Sequence, residues 1–526
     1  MRASGVLLPI SSIPSEYGIG CFSKEAYEFV DQLVEAGQRY WQILPLGPTG
    51  YGDSPYQSFS TFAGNPYFID LETLIKEGLL TNRECRECDW GGSRSYVDYE
   101  KLYRFRFKLL RKAYERFDCA QAPDFIEFEK NNIDWLDSYC TYMAIKNDQG
   151  GAGWNEWPKE LKDREPKAVK EAQKTLADEI QFYRVQQYWF EKQWHKLKTY
   201  ANKKGIKIIG DVPIYVAFDS ADTWSDPSLF QFDGENKPKT VAGCPPDAFS
   251  ATGQLWGNPL YDWKYHKSTG YTWWTQRMVH CMERYDVARI DHFRGFDEYY
   301  AIPYGDETAQ NGKWEKGPGL ELFRILKARI QNLEVIAEDL GFLTDSVLEM
   351  LEGTGFPGMK VLQFAFDDSE NSAYLPHKYD KNCVVYTGTH DNETTRGWLE
   401  RLQGHERSFV REYINCYDKP VNDCVWGLIR TALASVADLA IIPIQDYLCL
   451  GNEARMNAPS TLGNNWKWRL EKNQISDTTL YHMSELARIY GRNRKEEDET
   501  EKAEAADAKT AEAAEAADDS QELYSE

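Results

Sequence analysis

Val287-Ala288-Arg289-Ile290-Asp291-His292-Phe293-Arg294-Gly295 is a short aliphatic run that breaks into charge, and its alternation decides how the chain is read. Side chains two apart on a strand share a face, so Arg289 and Asp291 project to the same side. A carboxylate aimed into a sheet or barrel is costly unless it is paired or used. Taken alone, the segment fits a strand-end salt bridge as well as it fits a catalytic centre. The pattern recurs, however. Ile208-Ile209-Gly210-Asp211-Val212, Val335-Ile336-Ala337-Glu338-Asp339 and Val384-Val385-Tyr386-Thr387-Gly388-Thr389-His390-Asp391 each run from aliphatic residues into an acid. Four such segments predict one pocket at the C-terminal ends of parallel strands, where barrel enzymes keep their chemistry.

Working outward, Val6 to Ile10 and Trp41 to Leu46 read as the first two strands. Between them Lys24 to Ala36 carries helical spacing at Ala26, Phe29, Val30, Leu33 and Val34. Further strands are read at 207–216, 286–292, 333–338, 359–366, 383–389 and 439–443, most of them separated by helical patterns such as 320–330, 393–402 and 424–435. Strands and helices in that alternation predict an α/β fold, a (β/α)8 TIM barrel rather than an open sheet. Residues from about 70 to 200 break the alternation with helical, charged and aromatic segments, which predicts a helical insertion between strands 2 and 3, packed beside the barrel. Within it, Gln187-Tyr188-Trp189-Phe190 reads as helix core rather than a sugar platform. The Gly/Pro-rich stretch 243–262 includes Phe249, Leu255, Trp256 and Tyr261 and reads as a lid loop.

The bulk numbers exclude several classes of function. A net charge of −22 argues against nucleic acid, whose phosphates demand basic patches. No apolar run approaches a membrane span, and the opening ten residues are too short and weakly basic for a signal peptide, so a cytoplasmic protein is expected. Eleven cysteines, an odd number scattered along 526 residues, point to reduced thiols. The lone Cys85-Arg86-Glu87-Cys88 has no second pair to complete a zinc site. Residues 1–494 form the expected catalytic unit. From Lys495 to Glu526, 13 acids stand against 3 lysines with no periodic apolar face, which predicts a disordered solubilising tail. The acyl-transfer motif GxSxG and the phosphate-binding P-loop are both absent.

Three acids and several aromatics in one cleft suit glycosyl transfer with retention, which uses a nucleophilic carboxylate and a proton-donating one about 5–5.5 Å apart. Asp291 and Glu338 fall on consecutive proposed strands, and neighbouring strands lie about 4.8 Å apart. Asp391, two strands on, would face them. Arg289 beside Asp291 favours an ionised nucleophile, whereas a shielded Glu338 would keep its proton. His292 and His390 leave a metal site open as an alternative, although no HxH or HExxH accompanies them. His390 reads more naturally as a hydrogen-bond donor to a sugar hydroxyl.

Seven ordered segments then carry a resemblance to the 4-α-glucanotransferases called amylomaltases or disproportionating enzymes, glycoside hydrolase family 77, relatives of the α-amylases. They are Arg2-Ala3-Ser4-Gly5-Val6-Leu7-Leu8-Pro9, Trp41-Gln42-Ile43-Leu44-Pro45-Leu46, Gly52-Asp53-Ser54-Pro55-Tyr56-Gln57-Ser58, Gly210-Asp211-Val212-Pro213-Ile214-Tyr215, Arg289-Ile290-Asp291-His292-Phe293-Arg294-Gly295, Ala337-Glu338-Asp339-Leu340-Gly341 and Gly388-Thr389-His390-Asp391-Asn392, within a match over roughly residues 2 to 490. The resemblance implies Asp291 as nucleophile, Glu338 as general acid/base and Asp391 as transition-state stabiliser. It implies Arg289 and His390 around the sugar that is cleaved, Asp211 as the acid of the third-strand motif, and Ser54 and Tyr56 on the donor side. It places Gln254, Trp256 and Asn258 in a lid over the acceptor channel. Gly463-Asn464-Asn465-Trp466 resembles a Gly-Asn-Trp element that reaches the site, with Asn465 favoured. The implied partners are maltooligosaccharides, starch- or glycogen-derived α-1,4-glucans and glucose, with no cofactor and no structural metal. An α-amylase-like hydrolase with the same triad, and a non-catalytic glucan-binding protein, remain as rivals at this point.

Overall fold

The structure is a computed structural model and describes residues 2–493 apart from Tyr51, 247–249, Phe342 and Asp368. The acidic tail read from the sequence, and part of the lid, therefore lie outside the described residues. Eight parallel strands run in sequence order around the molecule: β1 (Ala3–Leu7), β2 (Tyr40–Gln42), β3 (Lys207–Val212), β4 (Val287–Ile290), β5 (Val335–Ala337), β6 (Gly358–Val361), β7 (Cys383–Tyr386) and β8 (Leu439–Pro443). β8 pairs back onto β1 with Leu439 opposite Ala3. Between β5 and β6 the barrel is closed by Ala337 N–H donating to Pro357 O at 2.9 Å, and by Met359 N–H donating to Asp339 Oδ1 at 2.6 Å. The (β/α)8 barrel expected from the sequence is the fold of the chain.

Alternation sorts the strand residues into two environments. Leu7, Ile209, Val287, Ile336, Met359, Val361, Val384, Tyr386 and Ile441 fill the barrel interior. Their neighbours Val6, Ile208, Ala288, Val335, Val385 and Ala440 pack outward against the helices. Both faces are dry, which explains the near-continuous hydrophobic runs of these strands. The ladders stop earlier than the apolar runs suggest. β1 ends at Leu7 because Pro9 lacks the N–H a ladder needs, and the chain turns at Ile10–Ser12. β3 likewise ends before Pro213, and β6 ends at Val361, where Leu362–Phe364 forms a tight turn.

Among the described residues, eight α-helices lie between β2 and β3, from Leu71–Lys76 to the 27-residue Ala177–Lys203. The last of these buries Tyr188, Trp189 and Phe190, and Phe190 meets Phe22 at 5.2 Å. Gln187 clamps the Gly64 peptide from both sides, accepting its N–H at 2.7 Å and donating to its carbonyl at 2.9 Å. This cluster is core, as its spacing indicated.

The segment read as a lid loop is partly β. Thr240–Cys244 and Gln254–Pro259 are antiparallel, and with Glu298–Pro303 and Lys313–Lys316 they make a second, four-stranded sheet. Glycine and exposed polar residues hid these strands, and the pairing of Thr240–Cys244 with Glu298–Pro303 joins positions about sixty residues apart. Among the described residues no helix is long and apolar enough to cross a membrane.

Candidate active site

The floor of the barrel mouth is built by strand parity. Asp211 follows Ile209, Arg289 follows Val287 and Glu338 follows Ile336, so all three continue inward-facing rows. The β3–β4 register sets Asp211 opposite Arg289. Arg289 Nη1 donates to both oxygens of Asp211, at 2.8 and 2.7 Å, and to Asp291 Oδ1 at 3.0 Å. One guanidinium, 3% exposed, thus serves two carboxylates.

The β4–β5 register pairs Ile290 with Ala337, so the next residues, Asp291 and Glu338, leave neighbouring strands at the same height. Glu338 is held by two backbone donors: His292 N–H to Oε2 at 2.6 Å and Leu340 N–H to Oε1 at 3.0 Å. The first of these requires a sharp turn. His292 sits at φ 52°, in the left-handed region that histidine tolerates better than branched residues.

Asp391 lies past the end of β7 and faces this pair. Its Oδ1 accepts from Asn457 Nδ2 at 2.6 Å, and its Oδ2 lies 3.3 Å from His390 Nε2. His390 Nε2 also meets Tyr56 Oη at 2.8 Å, Tyr56 donates to Asp211 Oδ2 at 3.0 Å, and the two rings stack at 5.2 Å. Trp466 closes this aromatic corner, 5.7 Å from Tyr56 and 6.0 Å from His390. Tyr56, Asp211, Arg289, Asp291, His390 and Asp391 therefore form one connected network, with Glu338 beside it.

The other residues singled out in the sequence lie around this network. Trp256 is edge-on to His292 at 4.9 Å and donates to Gln254 Oε1 at 3.1 Å. Asn258, 5% exposed, ties the second sheet to its surroundings by accepting from Gln57 and donating to Val216 O. Ser54 accepts the Tyr56 N–H at 3.3 Å and shapes that loop. Asn465 braces its own loop through Ala458 and Thr461; it is Trp466 that reaches the network. Asn457 was missed by sequence reading, because a loop asparagine 66 positions from Asp391 carries no spacing signal. Among the described residues no three His, Cys, Asp or Glu side chains converge as a metal site would.

The sequence profile described as 4-alpha-glucanotransferase matches residues 8–475. The chain belongs to the 4-alpha-glucanotransferase family. It is 49% identical to the 4-alpha-glucanotransferase of Clostridium butyricum, over 92% of this chain and 99% of that one. Identity to the Thermus thermophilus enzyme is 46%, over 90% of this chain and 96% of the other. Among solved structures, the amylomaltase from Streptococcus agalactiae in complex with acarbose superposes with a TM-score of 0.91 at 41% identity, covering 94% of this chain and 100% of that chain. As a 4-alpha-glucanotransferase the protein transfers a segment of an α-1,4-glucan to the 4-hydroxyl of another glucan or glucose, by the family's retaining double displacement. The family read from the sequence is the one found.

The electrostatics of this 4-alpha-glucanotransferase differ from the expectation for Asp291. Burial raises its carboxyl to about 6, against the pull of Arg289 and with a further push from Asp211. Arg289 could not hold it low, because that charge already answers Asp211. Burial also raises Glu338, to about 7, and the neighbouring Asp291 adds to the rise. Of the two, Glu338 is the one that keeps a proton. Asp391 goes the other way. Burial would raise it, but His390 and the Asn457 hydrogen bond hold it down at about 2. Its side chain keeps 43% of its surface open to the cleft, so this field acts within a confined polar space rather than in dry core.

These directions set the pH dependence. An activity that uses Asp291 ionised and Glu338 protonated would fall on the acid side near 6 and on the alkaline side near 7. Initial rates of glucose release across about pH 4 to 9 should trace a narrow bell. An acid limb near 4, the ordinary carboxylate range, would contradict it.

Proposed function

We propose that Asp291 is the nucleophile, Glu338 the general acid/base and Asp391 the transition-state stabiliser of this glucanotransferase, acting in the cytoplasm. Its donors are maltooligosaccharides and starch- or glycogen-derived α-1,4-glucans; the same chains and glucose are its acceptors. The observation that carries the reading is the pairing of Asp291 with Glu338 at the ends of neighbouring strands, at one height, with Glu338 raised further than Asp291. Strands about 4.8 Å apart suit two carboxyls that must flank one glycosidic bond with retention.

In the first step Asp291 attacks the anomeric carbon while the Glu338 proton passes to the leaving 4-oxygen. The glycosidic C–O bond breaks, an ester to Asp291 forms, and the reducing-end portion departs. In the second step the 4-hydroxyl of the acceptor loses its proton to Glu338 and attacks the ester, which restores both carboxyls. Asp391 keeps its negative charge throughout and faces the oxocarbenium-like centre. Arg289 and Asp211 fix the nucleophile's side of the pocket, and Tyr56 with His390 supplies a face and donors for the sugar. Ser54 shapes the donor-side loop and Asn465 braces the loop that presents Trp466. Gln254, Trp256 and Asn258 cover the acceptor side, where excluding water favours transfer over hydrolysis.

Incubation with maltotriose alone tests the reading. Longer oligomers should accumulate with glucose while total reducing ends stay constant. A rise in reducing ends without longer products would mean a hydrolase; no change in any product would mean a binding protein or a donor larger than maltotriose. Trp256→Ala opens the cover over His292, whose N–H holds Glu338, so its ratio of hydrolysis to transfer should rise several-fold on the same substrate. An unchanged ratio would remove Trp256 from the water-excluding role.

A further inference from the structure

We propose that Asn457 is a positioning residue for Asp391, fixing the orientation of that carboxylate from a distant loop. The proposal rests on the stabilising role given to Asp391. The turn that carries Asp391 reaches its side chain through His390, while Thr389 N–H and Oγ1–H both donate to Asn392 Oδ1 and not to the carboxylate. Each carboxylate oxygen has one close side-chain partner, His390 on Oδ2 and Asn457 on Oδ1. With 43% of the side chain open to the cleft, loss of either leaves an oxygen to water and the carboxylate free to turn.

Asn457 is itself locked to the same turn. Its N–H donates to His390 O at 3.1 Å. Arg455 reaches over both, Nε donating to Asn457 O at 2.7 Å and Nη2 to Asp391 O at 2.8 Å. Three hydrogen bonds therefore join 455–457 to 390–391, and the Arg455–Asn457 bond stiffens the segment that makes them. The next backbone contact, Trp466 N–H to Met456 O at 2.7 Å, ties in the tryptophan of the aromatic corner. The donor is neutral, and that matters. An amide orients Asp391 with a charge-assisted hydrogen bond and leaves its negative charge available to a cationic transition state, whereas a lysine or arginine on Oδ1 would neutralise it.

Three variants test this, with kcat, KM, pH profile and thermal midpoint measured on maltotriose. Asn457→Ala should lower kcat about 10- to 100-fold with KM changed little, because the lost bond matters most when charge develops. Asn457→Asp places a second carboxyl against Asp391 and should be the poorer variant near neutrality. Its activity should recover relative to Asn457→Ala as the pH falls and the introduced carboxyl becomes a donor. Asp391→Asn is the control for the underlying role. Wild-type kcat in Asn457→Ala with Asp391→Asn inactive would overturn the inference alone. A loss in Asn457→Asp that is independent of pH, matching a fall in thermal midpoint, would reduce Asn457 to loop stability and also overturn it. Full activity in Asp391→Asn would overturn the site reading beneath it.

Discussion

Asp291→Asn is expected to lose on the order of 10⁴-fold or more of its transfer rate while remaining folded. The amide cannot form the glycosyl ester, so the first step has no nucleophile. Folding should survive because Arg289 keeps Asp211, its two-oxygen partner, and because burial already disfavours the charge that the substitution removes. The check is glucose release from maltotriose, with a thermal melt in parallel; the midpoint should be unchanged or slightly raised. Retention of more than about a tenth of the activity in a folded variant would sink the assignment, since no neighbouring carboxylate can substitute: Glu338 is pinned by two backbone donors and Asp391 by Asn457.

Arg289→Met is expected to damage stability and activity together. Methionine has similar length and no charge, and it would leave Asp211 and Asp291 facing each other without the cation that joins them. Removing one member of a buried ionic cluster costs about 3–5 kcal/mol, far more than a surface pair contributes. Asp211 would keep only the Tyr56 hydroxyl among its described side-chain partners. The sign of the pH dependence follows. Asp291 already titrates above the ordinary range, so its ionised form penalises the fold above that pKa, and without Arg289 the penalty grows. The stability deficit should therefore shrink as the pH is lowered through Asp291's range. Denaturant unfolding at about pH 5 and pH 8 measures it; a deficit below about 1 kcal/mol at the higher pH would show that the cluster does not depend on Arg289.

Much of this site was legible in the sequence because its reasons are local. Alternation along Val287–Ile290 makes Arg289 and Asp291 face inward whatever else the chain does, and the same parity brings Asp211 and Glu338 to that interior. Equal heights for Asp291 and Glu338 followed from placing them on consecutive strands, and the register bears this out. The family motifs lie in these same runs for the same reason: side chains at the ends of barrel strands are placed by strand geometry, which neighbouring residues dictate.

What needed the tertiary structure was every property that depends on a partner far along the chain. That Arg289 is shared with Asp211, 78 residues away, and so cannot hold Asp291 low is a matter of distances among three side chains. That Glu338 borrows the N–H of a left-handed His292, and that Asp391 leans on Asn457, is likewise invisible to spacing. The four-stranded sheet that carries Trp256 escaped the sequence because ladder partners, not intrinsic pattern, make strands of glycine-rich segments. The sequence by itself determined which side chains face the barrel mouth, since strand parity is fixed by covalent geometry. Only the tertiary structure decided which charges they share and which protons they keep, since those depend on burial and on competition for a single guanidinium.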